Sequence, residues 1–244
     1  MAELKVCDVT KSFDGRTIIE DISIELKEGE LVSLLGTSGG GKTTLFHVIA
    51  GLHEPDKGKI YIDGRDVTGQ SGHVSYMLQK DLLLPYKTIE DNVSLPLILK
   101  GVNKKEARET VRRYFEEFGL SGTEKKYPHQ LSGGMRQRAA LLRTYMFSSE
   151  VALLDEPFSA LDTLTKREMH KWYLKVMEKI KLSTLFITHD IDEAILLSDR
   201  IYLLTGNPGV ITHVIEIKEK RPRDEEFALT EEFLTYKKRI LNLL

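Results

Sequence analysis

The sequence predicts an α/β protein whose core is a mostly parallel sheet with helices on both faces. Short apolar runs typical of strands alternate along the chain with longer segments whose apolar residues recur at helical spacing. A glycine-rich stretch joins one of these apolar runs to a helical segment. Helical patterns fill the region from about 87 to 149, so we expect a helical subdomain inserted into the core.

Strands dominate the first part of the chain. Ile22, Ile24 and Leu26 alternate with polar residues, and residues 4–9 suggest a similar strand. The run 31–35 is apolar and leads into a glycine, which is typical of a buried parallel strand that feeds a turn. The further strand signals lie at 60–62, 74–78, 151–154, 185–188 and 201–204.

Helices are predicted over 42–52 and 165–180 by the spacing of their apolar residues. Ala107, Val111 and Phe115 also recur on one helical face, with charged residues opposite them. We expect this helix to bury its apolar and aromatic face in the core.

Composition limits the classes of function. Of the 244 residues, 41% are hydrophobic and 30% charged, which is typical of a globular protein. The net charge of −2 gives no basic field, which argues against a nucleic-acid partner. The single cysteine, Cys7, cannot form an internal disulfide, and no apolar run approaches the ~18 residues that suggest a membrane span. We expect a cytosolic protein that reaches a membrane only through a partner.

Residues 36–43, which we call the phosphate cradle, fit the pattern G-x-x-x-x-G-K-[ST]. Backbone N–H groups of a glycine loop can converge on a polyphosphate, and the start of the following helix also favours anions. Lys42 supplies a positive charge, and the Thr43 hydroxyl can ligate Mg²⁺. The predicted nucleotide-binding residues are Gly36, Thr37, Ser38, Gly39, Gly40, Gly41, Lys42, Thr43 and Thr44.

A second helix start suited to anions lies far along the chain, in 131–138. Ser132 is a good N-cap, and Gly133 and Gly134 expose backbone N–H groups behind it. We call residues 131–138 the signature segment.

The signature segment resembles the signature motif of ABC ATPases, and the other motifs of that family follow in the expected order over nearly the whole chain. Residues 151–156 resemble the Walker B strand with its catalytic glutamate, and 159–162 resemble the D-loop. Gln79 is similar to the Q-loop glutamine, and His189 is similar to the switch histidine.

The resemblance implies an ATPase that uses ATP and Mg²⁺. Asp155 ends an apolar strand that would aim its carboxylate at Mg²⁺, and Glu156 is placed to polarise the attacking water. The implied catalytic residues are Glu156, His189 and Gln79, and the implied Mg²⁺ ligands are Thr43, Gln79 and Asp155. Further implied nucleotide contacts are Phe13, Ser132, Gly133, Gly134 and Asp162. Phe13 would stack on adenine, although a phenylalanine on a strand also fits a core position.

A single ABC ATPase domain over 1–244 is implied by the same resemblance. It consists of a P-loop NTPase, RecA-like core with an N-terminal antiparallel β subdomain, a helical signature subdomain at about 87–149 and a C-terminal strand and helix extension at about 205–244. Ser132 and Gly134 would contact the γ-phosphate of ATP held by the other subunit of a head-to-tail homodimer. Hydrolysis would then loosen that dimer.

Transport is the expected use of this cycle, with a soluble ABC ATPase acting on nucleic acid or ribosomes as the alternative. Such relatives generally carry two ATPase domains or coiled-coil arms, which this sequence lacks. The 79–86 segment places an apolar cluster where family subunits receive transmembrane permease subunits, although Leu82, Leu83 and Leu84 could equally be core. A subunit that binds ATP without turnover is disfavoured because Glu156 and His189 are both present.

A finer resemblance, to bacterial importers of nitrate, sulfonates, taurine and thiamine precursors, lies in 82–86, 131–138, 155–162, Pro208-Gly209 and 221–223. It implies uptake of a small polar or anionic solute through an extracytoplasmic solute-binding protein, at the cytoplasmic face of the membrane. Gly40 stands where serine or cysteine is common, and the residues around Arg143 also depart from the family pattern.

Overall fold

The computed structural model describes residues 3–147, 150–223 and 226–244, within which the chain forms two sheets and seven α-helices. The predicted boundaries at residues 1 and 149 lie outside the described residues. The strands are β1 Leu4–Phe13, β2 Arg16–Leu26, β3 Leu31–Gly36, β4 Lys57–Ile62, β5 Arg65–Asp66, β6 Ser75–Met77, β7 Val151–Asp155, β8 Ser183–Thr188, β9 Arg200–Thr205 and β10 Val210–Glu216. The helices are α1 Lys42–Ile49, α2 Ile89–Leu99, α3 Lys104–Phe115, α4 Gly133–Met146, α5 Thr163–Ile180, α6 Ile191–Leu197 and α7 Glu231–Leu243.

The smaller sheet is antiparallel and has the order β2-β1-β4-β5. Its first two strands form a hairpin through Asp14 and Gly15, whose φ angles of 50° and 76° suit a tight turn with the twist of a hairpin. The alternating strands read from the sequence therefore form the antiparallel N-terminal sheet that was predicted.

The larger sheet has the order β10-β9-β3-β8-β7-β6, and its described pairs are parallel except β9–β10. All residues of β3, β7 and β8 are buried, as expected for strands covered on both faces. The predicted α/β fold with a mostly parallel sheet is confirmed. Because these strands are parallel, their carboxyl ends open at one edge of the sheet, where ligands bind in such folds.

Helix α1 packs between the two sheets, with Phe46 and Val48 buried against apolar residues from both. It ends at Ile49, earlier than the predicted 52. Helix α5 begins at Thr163, two residues earlier than predicted, because the side chain of Asp162 caps it. Helices α2 to α4 lie between β6 and β7 in the chain, where the sequence predicts the helical subdomain.

The C-terminal extension is fixed to the core by a buried arginine. The guanidinium of Arg223 donates to the backbone oxygens of Ile195 (2.9 Å), Ser198 (2.7 Å) and Glu219 (2.8 Å). Arg223 is 5% exposed, and burial lowers the pKa of its guanidinium to about 10. One side chain therefore ties the end of α6 to the segment that follows β10.

We expect the substitution Arg223→Met to lower the free energy of unfolding by about 3 kcal/mol, because it leaves several buried carbonyl groups without a donor. Urea denaturation of the purified chain measures this change. Lys238→Met, at an exposed position of α7, is the matched control and should alter the free energy of unfolding by less than about 0.5 kcal/mol. Equal effects of the two substitutions would contradict a stabilising role for Arg223.

Candidate functional site

The phosphate cradle connects β3 to α1, and its glycines are required by geometry. Gly39 and Gly41 have φ angles of 82° and 90°, in the left-handed region that glycine adopts without strain. A Cβ atom on Gly41 would lie 2.5 Å from Cγ2 of Ile19, so a side chain there would collide with β2. A Cβ on Gly36 would lie 2.3 Å from the backbone oxygen of Leu204. Strands on two sides thus hold the loop tightly.

The Lys42 ammonium folds back over this loop. Its Nζ donates to the backbone oxygens of Gly36 (2.9 Å) and Thr37 (2.8 Å). Burial lowers the pKa of Lys42, and the nearby carboxylates of Glu156 and Asp155 oppose that effect. A buried ammonium held by two neutral carbonyls is suited to an anionic ligand, since a phosphate would supply the full negative charge that it lacks.

Thr43 and Asp155 meet across the cleft. The Thr43 hydroxyl donates to Oδ2 of Asp155 at 3.2 Å, and Asp155 is the last residue of the buried strand β7. Burial raises the pKa of the Asp155 carboxyl, and the Thr43 hydrogen bond opposes this. A hydroxyl beside a desolvated carboxylate is the hard oxygen set that Mg²⁺ prefers, so these residues fit the predicted metal.

Glu156 lies at the centre of a polar group contributed by three strand ends. Nε2 of Gln79 donates to its Oε2 at 3.0 Å, and Nδ1 of His189 lies 3.3 Å from its Oε1. Its backbone N–H donates to the oxygen of Ile187 at 3.1 Å. Glu156 has a φ of 46°, an uncommon value for a residue with a side chain, and strained backbone of this kind is concentrated at functional sites.

Together these residues line one cleft of about 430 Å³ at the carboxyl edge of the larger sheet. It brings all three predicted catalytic residues together with most of the predicted cradle residues, whereas Gly36, Thr37 and Gly40 lie outside its described lining. Ile18 and Ile187 also line it and were not predicted. Ile187 precedes the predicted Thr188-His189 pair on a strand, so its position could have been read from the sequence. Ile18 carried no such signal, because only the folded position of β2 brings it to the cradle.

The signature segment forms a capped helix start, as predicted. The Ser132 hydroxyl accepts from the backbone N–H of Met135 at 3.3 Å, and Ser132 and Gly133 are exposed. Gly134 is buried, and a Cβ there would lie 3.1 Å from Cγ2 of Thr165 on α5. As the described residues place it, the cleft that contains Lys42 is not lined by the signature segment.

Asp162 and Phe13 also lie outside the described lining of this cleft. Oδ1 of Asp162 accepts from the backbone N–H groups of Leu164 and Thr165. A hydrogen bond from the Thr165 side chain, together with these backbone hydrogen bonds, lowers the pKa of the carboxyl. Phe13 ends β1 with 40% of its surface exposed and meets the ring of His53 edge to face, with centroids 5.3 Å apart. An exposed ring at a strand end remains available for the predicted stacking.

The 79–86 segment is attached to α4. Nη1 and Nη2 of Arg143 donate to the backbone oxygens of Leu82 (2.8 Å) and Asp81 (2.6 Å). Nε of Arg136, in the signature segment, donates to the Asp81 carboxylate at 3.2 Å. The two hydrogen bonds from its guanidinium give Arg143 a structural role, which is to hold the 79–86 segment against α4. The core alternative holds for Leu83, which is 7% exposed, whereas Leu82 is 51% exposed.

Among the helices of the described residues, none has the length and apolar character needed to cross a membrane.

Comparison with known proteins agrees with this geometry. A family model described as ABC transporter matches residues 19–159. The formylaminopyrimidine import ATP-binding protein ThiZ of Halalkalibacterium halodurans is 50% identical over 191 residues, which cover 78% of this chain and 74% of that protein. The nitrate import ATP-binding protein NrtD of Synechocystis sp. is 36% identical over 251 residues, covering 99% of this chain and 94% of that protein.

A solved structure, the dimeric post-hydrolysis state of an ATP-binding cassette bound to ADP and Pi, superposes with a TM-score of 0.76 at 28% identity. The match covers 89% of this chain and all of that one. The fold, the order of the motifs and the relatives agree. The chain belongs to the ABC transporter family.

Proposed function

We propose that this chain is the ATP-hydrolysing subunit of an ABC importer for a small polar or anionic solute. The observation that carries this is the single cleft in which Glu156, bonded by Gln79 and adjacent to His189, lies with Lys42 and the Thr43–Asp155 pair. The import names of relatives such as ThiZ and NrtD support the direction of transport.

The chemistry follows from the positions of these side chains. Glu156 accepts a proton from a water whose oxygen bonds to the γ-phosphorus, while the bond from that phosphorus to the β–γ bridging oxygen breaks. ADP and phosphate result. A general base of this kind contributes ~10²–10⁴-fold to the rate. Lys42 holds the phosphates, and His189 donates to the γ-phosphate. Thr43, Asp155 and Gln79 would hold Mg²⁺, which supplies positive charge at the phosphate oxygens.

Two copies arranged head to tail would complete each site. Ser132, Gly133 and Gly134 form a helix start suited to a phosphate, with Ser132 and Gly133 exposed, and none of the three lines the cleft of their own chain as the structure describes it. The partner's ATP is therefore their natural ligand in this proposal, with Asp162 nearby at the start of α5. The dimeric cassette among the similar structures supports such an assembly.

The 79–86 segment would receive the transmembrane permease subunits at the cytoplasmic face of the membrane. Leu82 and Tyr86 expose 51% and 73% of their surfaces there, although both are large apolar side chains. Arg143 and Arg136 tie the same segment to the signature helix, and Gln79 at its start bonds Glu156. A displacement of the 79–86 segment by the permease would therefore be transmitted to Glu156 through the Gln79 hydrogen bond. An extracytoplasmic binding protein would deliver the solute. The nucleic-acid alternative receives no support from these observations.

Reconstitution tests this function. The chain and its permease subunits are placed in liposomes, and ATP turnover is measured with candidate binding proteins loaded with nitrate, a sulfonate or a formylaminopyrimidine. One loaded protein is expected to stimulate turnover and uptake together, and the Glu156→Gln chain should support neither. If none of the three loaded binding proteins raises the rate of ATP turnover, the proposed solute group is excluded. Purification of the chain with ribosomes instead of membranes would exclude transport.

A further inference from the structure

The loop between β9 and β10, residues 206–209, is bonded to the edge of β2 beside the phosphate cradle. We call it the hairpin loop. The backbone N–H of Gly209 donates to the oxygen of Ile18 at 2.8 Å, and the oxygen of Gly209 accepts from the N–H of Glu20 at 3.0 Å. Gly209 is buried, whereas its neighbour Asn207 is exposed. The proposed mechanism assigns this loop no role.

Gly209 is in direct contact with the cradle. A Cβ atom added to it would lie 2.2 Å from the backbone oxygen of Gly40 and 3.5 Å from Cγ of Leu204. The φ angle of Gly209 lies outside the left-handed region, so an alanine would meet no backbone strain there. Glycine is therefore required at 209 because any larger side chain would collide with Gly40, and not because of the backbone conformation.

This contact fixes the direction of a peptide group in the cradle. The oxygen of Gly40 and the N–H of Gly41 belong to one planar trans peptide and point in opposite directions. Because the oxygen faces Gly209, the N–H of Gly41 points away from the hairpin loop. Gly41 is also packed closely against β2, since its own Cβ would lie 2.5 Å from Cγ2 of Ile19. Backbone N–H groups are the donors that a phosphate cradle uses.

Given the proposed binding of ATP phosphates by the cradle, we propose that Gly209 is a positioning residue for nucleotide binding. Gly209 packs against the oxygen of the Gly40–Gly41 peptide and so fixes the orientation of that peptide. The Gly41 N–H on its opposite side then faces the phosphates. A side chain at 209 would push the Gly40 oxygen out of place, since two backbone segments would have to separate. The C-terminal extension, which begins at this hairpin, would therefore contribute to the nucleotide site.

The test is the substitution Gly209→Ala, with Asn207→Ala in the same loop as the matched control. Calorimetric titration with ADP-Mg should show at least about tenfold weaker binding for Gly209→Ala, since displacements near an ångström have effects of this size or more. In the assembled transporter the KM for ATP should rise to a similar extent with little change in kcat, because the lost contact is present before and during reaction. Asn207→Ala should match the unsubstituted chain in both affinity and urea unfolding midpoint. Gly209→Ala should unfold at a lower urea concentration, because separating two backbone segments costs stability, so binding is compared under conditions in which all three chains are folded.

Hydrogen exchange on the unsubstituted chain gives a second, independent measurement. Coupling between two sites is reciprocal, so ADP-Mg should slow exchange at the amides of Gly209 and Glu20. Failure of the unsubstituted chain to bind ADP-Mg would contradict the proposed function itself. If it binds and Gly209→Ala binds equally well, the positioning role is wrong. Should Gly209→Ala not fold, exchange decides: unchanged rates at both amides on nucleotide binding overturn the inference.

Discussion

Replacement of Glu156 by glutamine should lower ATP turnover by about 10²–10⁴-fold while ATP still binds. Glutamine keeps the size of the side chain and can still meet Gln79 and His189, which lie 3.0 and 3.3 Å from the carboxylate oxygens. It cannot accept a proton from water. Since the substitution leaves the cradle and the signature segment unchanged, the nucleotide should remain and hold two copies together.

Sedimentation of the Glu156→Gln chain under saturating ATP-Mg should therefore show a dimer that ADP-Mg does not produce. Glu178→Gln, at an exposed position of α5, is the control and should retain turnover and the ordinary monomer under both nucleotides. Monomeric Glu156→Gln chains with bound ATP would show that the triphosphate does not join two copies. If the Glu156→Gln chain hydrolyses ATP at the normal rate, Glu156 is not the general base.

Features set by a few neighbouring residues were predictable from the sequence. The cradle is a local pattern, because its glycines, Lys42 and the preceding apolar strand stand within one short stretch. Ser132 caps the helix that follows it, as predicted, since a cap depends on contacts only two or three residues away. Asp162 caps α5 by the same kind of local contact, although the helix was predicted to begin at 165 and this cap was missed. Strand ends carrying Asp155 and His189 could be placed at one edge once parallel strands were inferred.

Contacts between distant segments could not be predicted in this way. The 204–209 region reaches Gly36 and Gly40 only because β9 pairs with β3 in the sheet. Ile18 reaches the cleft through the packing of one sheet on the other. Arg143 lies 61 residues from Leu82 in the chain, and its role in holding the 79–86 segment becomes visible only when the two are in contact. Such pairings are set by tertiary structure, which a single sequence does not display.

Cysteines placed in the cradle and in the signature segment should cross-link two chains and not one. Ser38 and Gly133 are both exposed, Ser38 lines the cleft and Gly133 begins α4, so each can face a second copy. In a chain with Cys7→Ser, the pair Ser38→Cys and Gly133→Cys is oxidised mildly with ATP-Mg present and Glu156→Gln included. We expect a covalent dimer, because a disulfide needs Cα atoms within about 7 Å and a closed head-to-tail dimer would bring the two positions together.

The two single-cysteine chains are the controls and should form no covalent dimer on a denaturing gel, since a head-to-tail arrangement opposes unlike positions and separates like ones. Omission of nucleotide should also leave monomers, because the triphosphate provides the attraction between the copies. A monomer carrying an internal link between 38 and 133 would mean that one chain closes its own site, and the division of labour between subunits would be wrong. The covalent dimer therefore tests whether each ATP is held by both chains. If it is, cleavage of the ATP must release one chain from the other, and this release is what converts hydrolysis into opening of the dimer.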